Sequence, residues 1–109
     1  MSNPRLEQLM RFLEEDPNDP FTLYAIATEH LKTAPHQAQH YFEILLRDHP
    51  DYVATYYHAA HLYIDLEMYD QAETTFKTGI KVAADQGDQL ALRELRSAYD
   101  QYLFEQEDD

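Results

Sequence analysis

The sequence predicts an all-α fold of about six short helices joined by loops of two to five residues. Three observations carry this reading. The 2 glycines and 5 prolines fall near element ends or in a crowded packing position, while the rest of the chain is rich in Ala, Leu, Glu, Gln and Tyr. Apolar residues return at three- and four-residue spacing along the whole chain. A Gln-Ala-x-x-x-Phe core stands at 37–42 and again at 71–76, a shift of 34 residues.

Each element follows from local signals. Asn3-Pro4 offers an N-cap and a first-turn proline, and Leu6, Leu9, Met10 and Leu13 form the stripe behind it. Asp16-Pro17-Asn18-Asp19-Pro20 stops that helix and starts the next. From Phe21 to about Thr33 the stripe is Leu23, Ile26, Ala27, His30 and Leu31, and Ala34-Pro35 breaks it. Residues 36–48 carry Ala38, Tyr41, Phe42, Leu45 and Leu46 on one face, up to the break at His49-Pro50-Asp51. Residues 52–66 carry Tyr56, Ala59, Ala60 and Tyr63. After a turn at Glu67-Met68, the fifth stripe is Ala72, Phe76, Gly79, Ile80 and Ala83. Gly87 is a C-cap and Asp88 the next N-cap. A last helix over about 89–104 shows Leu92, Leu95, Tyr99 and Tyr102. The acidic tail, 105–109, is expected to fray.

Short loops force neighbouring helices to pack antiparallel. The repeat extends beyond its core: Thr22, Tyr24 and Ala27 return as Thr55, Tyr57 and Ala60 with a shift of 33, as do Pro17 and Pro50. The change of shift by one residue is assigned to a longer connection between the paired helices of the second unit. Residues 18–50 then form one unit and 51–84 the next. The second reads Tyr56-x2-Ala59-Ala60-x2-Tyr63, then Ala72-x3-Phe76, with Ala84 at its end. The first reads Leu23-x2-Ile26-Ala27-x2-His30, then Ala38-x3-Phe42, with Pro50 at its end.

These units resemble the tetratricopeptide repeat, whose pattern is W-x2-L-G-x2-Y, then A-x3-F, then P. Tryptophan is absent, His30 stands for the tyrosine, and Gly79 for the usual alanine. Leu9 and Phe12 before Pro17 make residues 3–16 look like a second-helix half repeat. Leu92-x2-Leu95-x3-Tyr99 makes 88–104 look like a first-helix cap. The resemblance is to a small stand-alone bacterial member of the family, a single domain over 1–109. It implies a right-handed superhelical stack of hairpins with the first helix of each pair on a concave face. Ala27, Ala38, Ala60 and Ala72 would let paired helices approach, and Phe42 and Phe76 would fill the seams between hairpins.

Composition narrows the function. The formal net charge is −13, from 21 acidic against 8 basic residues. That disfavours nucleic acid and anionic membrane surfaces, both of which call for Lys and Arg. No apolar run approaches the ~18 residues of a membrane span. Met1 to Glu7 has no basic segment followed by an apolar stretch, so no signal peptide is expected and the cytoplasm is the default. Cysteine is absent. The acidic excess suits either a protein kept soluble in concentrated salt or an ordinary acidic bacterial protein.

No phosphate loop, cysteine nucleophile or His-Glu-x-x-His pattern occurs, and Ser2 and Ser97 lie outside any nucleophile context. The expectation is a non-enzyme without cofactors. The resemblance instead implies a protein-interaction adaptor that binds a peptide segment in the concave groove. Its groove positions fall on Tyr24, Thr28 and Leu31 in the first unit and on Tyr57, His58, His61, Ile64 and Asp65 in the second. Arg93 and Ser97 correspond in the cap. Chaperone-binding members clamp a C-terminal carboxylate with Lys and Asn, where this chain has Tyr24, Thr28, Tyr57 and His61, so that ligand class is not expected. Tyr24 and Tyr57 are equivalent and are expected side by side, with covering of the hairpin seam as the alternative role.

Two histidine sets have metal-ligand donors on one helical face: His58, His61 and Asp65, and His36, His40 and Glu43. Such spacings recur by chance on helices, and no metal is assigned. The rival to the adaptor is self-association: Tyr99, Tyr102, Leu103 and Phe104 near the chain end could support a symmetric homodimer through the cap. The partner remains unknown at this level.

Overall fold

The computed structural model describes residues 3–107, so Met1 and Ser2, and Asp108 and Asp109 of the acidic tail, lie outside the described residues. Among the described residues six α-helices run in the order α1 (Pro4–Glu15), α2 (Pro20–His30), α3 (Pro35–Asp48), α4 (Ala54–Asp65), α5 (Tyr69–Gln86) and α6 (Gln89–Glu107). No strand occurs among the described residues. The all-α expectation holds element by element, and α6 continues three residues into the stretch expected to fray. The chain divides into two compact units, Met1–Tyr52 and Val53–Asp109. The division falls two residues past the boundary between the two sequence repeats.

Proline and capping side chains set the helix starts in the first unit. The Asn3 side chain accepts the Leu6 N–H at 3.1 Å, with Pro4 following it. Asp19 accepts both the N–H and the hydroxyl of Thr22, at 3.3 and 2.7 Å. Such a cap contributes about 1 kcal/mol. In the second unit Gly87 ends α5 in the left-handed conformation, φ 71°. Asp88 starts α6 by accepting the Ala91 N–H at 3.1 Å.

In the first unit α2 packs on both α1 and α3. Leu9, Ala25 and Ile26 form a buried cluster, flanked by Leu6, Leu13 and Tyr41. Glu29 ties α1 to α2: it accepts from Asn3 Nδ2 at 3.2 Å and pairs with Arg5 at 3.4 Å and with Lys32 at 3.6 Å. The Asn3 hydrogen bond foremost, and then the Lys32 and Arg5 charges, hold its carboxyl below the ordinary value against the opposing effect of burial. His30 stacks on Tyr41 of α3 at 5.8 Å with the rings 12° apart.

In the second unit α4 and α6 both pack on α5. Phe76 of α5 is fully buried. Its ring meets His61 of α4 at 5.9 Å, and Tyr99 and Tyr102 of α6 at 5.4 and 6.0 Å. Tyr99 also donates its hydroxyl to Glu73 of α5 at 3.2 Å, joining α6 to the Glu73–Lys77 ion pair. Ala27, Ala38, Ala60 and Ala72 are all fully buried, so each hairpin has the small residues that close packing needs.

Two local solutions differ between the units. The fully buried Leu45 of α3 corresponds to Gly79 of α5, and Leu23 of α2 to Tyr56 of α4. The larger Tyr56 sits where α5 presents bare backbone: a Cβ at Gly79 would lie 2.5 Å from Tyr56 Cβ and 2.8 Å from its Cγ. The extra residue of the second repeat also has a definite place, and it is not the longer connection expected. The loop before α5, 66–68, is one residue shorter than its counterpart at 31–34, and α4 instead runs two residues further along the repeat than α2. The tight reversal puts Glu67 at φ 59°, a left-handed conformation that costs a side-chain-bearing residue about 1 kcal/mol.

Gly79→Ala should destabilise the protein by about 1–3 kcal/mol in urea unfolding, because the new methyl meets the rigid root of Tyr56 and not a movable side-chain end. Glu67→Gly should act in the opposite direction, raising stability by up to about 1 kcal/mol in the same assay.

Candidate functional site

The residues expected to bind a partner lie on α2 and α4, with Arg93 on α6, and each unit presents its own set. In the first unit Tyr24 is half-buried, its ring tilted against Tyr52 at 5.7 Å. Burial foremost, with Tyr52 adding to it, raises the Tyr24 pKa. Tyr52 was not singled out by sequence reasoning; it lies in the turn after Pro50, outside any helical stripe, so only its aromatic character hinted at a role. Thr28 is turned back on its own helix, its hydroxyl donating to the Ala25 carbonyl at 3.0 Å. That leaves it an acceptor toward a ligand. Leu31 caps α2 and is partly exposed.

In the second unit α4 gathers a tighter group. Tyr57 is 37% exposed, yet its ring is held on two sides. His61, one turn on, lies at 4.6 Å, and His58 lies edge-on at 5.6 Å and 87°. His61 in turn abuts Phe76 edge-on, so the exposed tyrosine is backed by an aromatic chain running into the core. His61 Nε2 is buried and lacks a hydrogen-bond partner. Ile64 is partly exposed and Asp65 exposed at the end of the helix. Arg93 is exposed on α6 and makes no ion pair among the described residues.

Neither histidine set assembles as a ligand group. Among the described residues no three His, Cys, Asp or Glu side chains converge on a point that could hold a metal ion. His58 and His61 both turn toward Tyr57. In the other set His40 packs edge-on against Tyr41 at 5.1 Å, while Glu43 accepts from Gln39 at 3.1 Å. A shallow depression of about 320 Å3 lies between α4 and α5, lined by Tyr63, Asp70, Gln71, Thr74 and Thr75. It brings together no acid–base pair or nucleophile with its base.

Comparison with known proteins matches this architecture. The family model of the tetratricopeptide repeat covers residues 30–98. The chain belongs to the tetratricopeptide repeat family. A crystal structure of a tetratricopeptide repeat domain protein from Salinibacter ruber is 48% identical, over 74% of this chain and 91% of that one, with a TM-score of 0.71. A solution NMR structure of a tetratricopeptide repeat domain protein from the same organism is 49% identical, over 76% and 85%, also with a TM-score of 0.71. No curated protein matches the chain. Tetratricopeptide folds generally mediate protein–protein interaction and generally serve as non-enzymatic scaffolds. No helix among the described residues is long and apolar enough to cross a membrane.

His58 makes the stability of this tetratricopeptide unit depend on pH. Burial first, and the neighbouring His61 second, lower the His58 pKa below its ordinary value of 6.5. Below that pH the unfolded chain takes up the proton before the folded one does. The His58 contribution is therefore intact above 6.5 and is lost as the pH falls through the depressed folded-state value. Chemical denaturation at about pH 7.5 and about pH 5.5 should show a smaller acid-induced loss of stability in His58→Gln than in the wild type.

Proposed function

We propose that the chain is a non-catalytic adaptor that binds a peptide segment of a partner protein, in the cytoplasm of a bacterium. The binding positions are Tyr24, Thr28 and Leu31 on α2, and Tyr57, His58, His61, Ile64 and Asp65 on α4, with Arg93 on α6. One observation carries the reading: Tyr57 is exposed and its ring packs against both His58 and His61. An exposed aromatic ring already fixed by its neighbours loses little freedom on binding, and tyrosine adds a hydroxyl to a large apolar face. The net charge of −13 favours a segment with basic as well as apolar side chains. A carboxylate-terminated tail finds no Lys or Asn clamp at Tyr24, Thr28, Tyr57 or His61.

Selection from a random peptide library on the immobilised chain should enrich segments rich in apolar and basic residues. Tyr57→Ala should weaken the selected peptides at least about tenfold by calorimetry. Unchanged affinity would remove the α4 face from consideration.

A second reading, self-association through α6, is favoured by a specific observation. Leu103 and Phe104 are 39% and 64% exposed, whereas Tyr102 beside them is buried against α5.

A further inference from the structure

Eight basic side chains face 21 acidic ones in this chain. Arg5, Lys32, Arg47, Lys77 and Lys81 are engaged in ion pairs. Arg11, Arg93 and Arg96 make none among the described residues. Two of these three scarce unpaired cations stand one turn apart on α6. They share its outward side with Leu90 and Phe104, which are 57% and 64% exposed. Glu94, Ser97, Asp100 and Gln101 on the same side are exposed too. The opposite side of α6 holds Leu95 and Tyr102, buried to 1% and 6% exposure. Leu90, Ser97 and Phe104 are spaced by two helical turns, so they mark a single stripe about 21 Å long.

This stripe is complementary to itself when reversed. Ser97, small and exposed, stands at its middle. If a second α6 is turned end over end about a two-fold axis at Ser97, positions equally far from Ser97 come level. Leu90 then meets Phe104 of the second copy, and Phe104 meets its Leu90. Arg93, Arg96 and Asp100 lie along one flank of the stripe, so Asp100 of the second copy falls between Arg93 and Arg96. Glu94 lies on the other flank opposite Gln101 of the second copy. The Gln101 amide donates to Glu105 at 3.2 Å and has a second N–H to give. Each contact occurs twice by symmetry, as an isologous interface requires. A parallel pairing would instead bring this flank against the Glu94 and Gln101 flank of the second copy, setting Arg93 near Glu94 but leaving Arg96 and Asp100 without a charged partner and stacking Leu90 on Leu90 and Phe104 on Phe104.

We propose that the outward face of α6 pairs antiparallel with α6 of a second copy of this chain, centred on Ser97 and fixed by Arg93 and Arg96 on Asp100. This rests on the self-associating reading above and specifies its face, orientation and register. One helix pair of this length falls at or below the small end of stable interfaces, so the dimer is weak, with a Kd on the order of 10 µM.

The test is sedimentation equilibrium of the full chain from about 1 to about 300 µM at about 0.15 M salt. The wild type should pass from monomer to dimer. Phe104→Ala and Asp100→Arg should each raise the dissociation constant at least about tenfold with helicity unchanged by circular dichroism. The exchange Arg93→Asp, Arg96→Asp, Asp100→Arg in one chain should restore it to within about threefold, because it inverts the charges without changing their complementarity. A chain that dimerises with the single variants unaffected, or without rescue by the exchange, overturns the α6 register and leaves self-association standing through another surface. A chain that stays monomeric throughout overturns both.

Discussion

The second unit depends on one buried ring. Phe76 is the point where α4, α5 and α6 meet, through His61 on one side and Tyr99 and Tyr102 on the other. Burying a phenylalanine contributes roughly 1.5–3 kcal/mol, and favourable aromatic pairs add about 0.5–1.5 kcal/mol each. Two of the candidate binding residues inherit their order from this ring. His61 is positioned by Phe76, and Tyr57 is positioned by His61. The same contact that closes the core therefore fixes the surface, and an orphaned Nε2 on His61 is the polar cost of placing an imidazole in that chain of rings.

Charge plays a smaller part in holding the fold. Three of the five ion pairs among the described residues join side chains that are each more than 40% exposed, and such pairs contribute little. Glu29 differs because its side chain is only 13% exposed and gathers Asn3, Arg5 and Lys32 at once, binding the start of α1 to the end of α2. The acidic excess is otherwise a surface property, bearing on solubility and on the choice of partner.

Much of the fold was legible in the sequence because its signals are local. Asn3-Pro4, Asp19-Pro20 and Gly87-Asp88 mark helix ends with the side chains that satisfy those ends. The buried alanines and phenylalanines recur at the repeat period. The misjudged connection between α4 and α5 shows where such reading stops. A repeat shift counts residues but does not say whether an added one extends a helix or a loop, and here α4 took it. On the candidate faces, identities were legible and environments were not. No periodicity discloses that Thr28 bonds back to Ala25, that Tyr52 packs on Tyr24, or that Tyr57 sits between two imidazoles.

Gly79 and Tyr56 have a bearing on how such repeats can be recombined. Both hairpins satisfy one family pattern, yet corresponding positions are filled differently: buried Leu23 and Leu45 in the first, Tyr56 against Gly79 in the second. Grafting α3 in place of α5 would bring a leucine onto a tyrosine that leaves no room even for a methyl group. The two repeats are thus matched sets, not exchangeable parts, and a chimera drawn from this chain must carry both helices of a hairpin together.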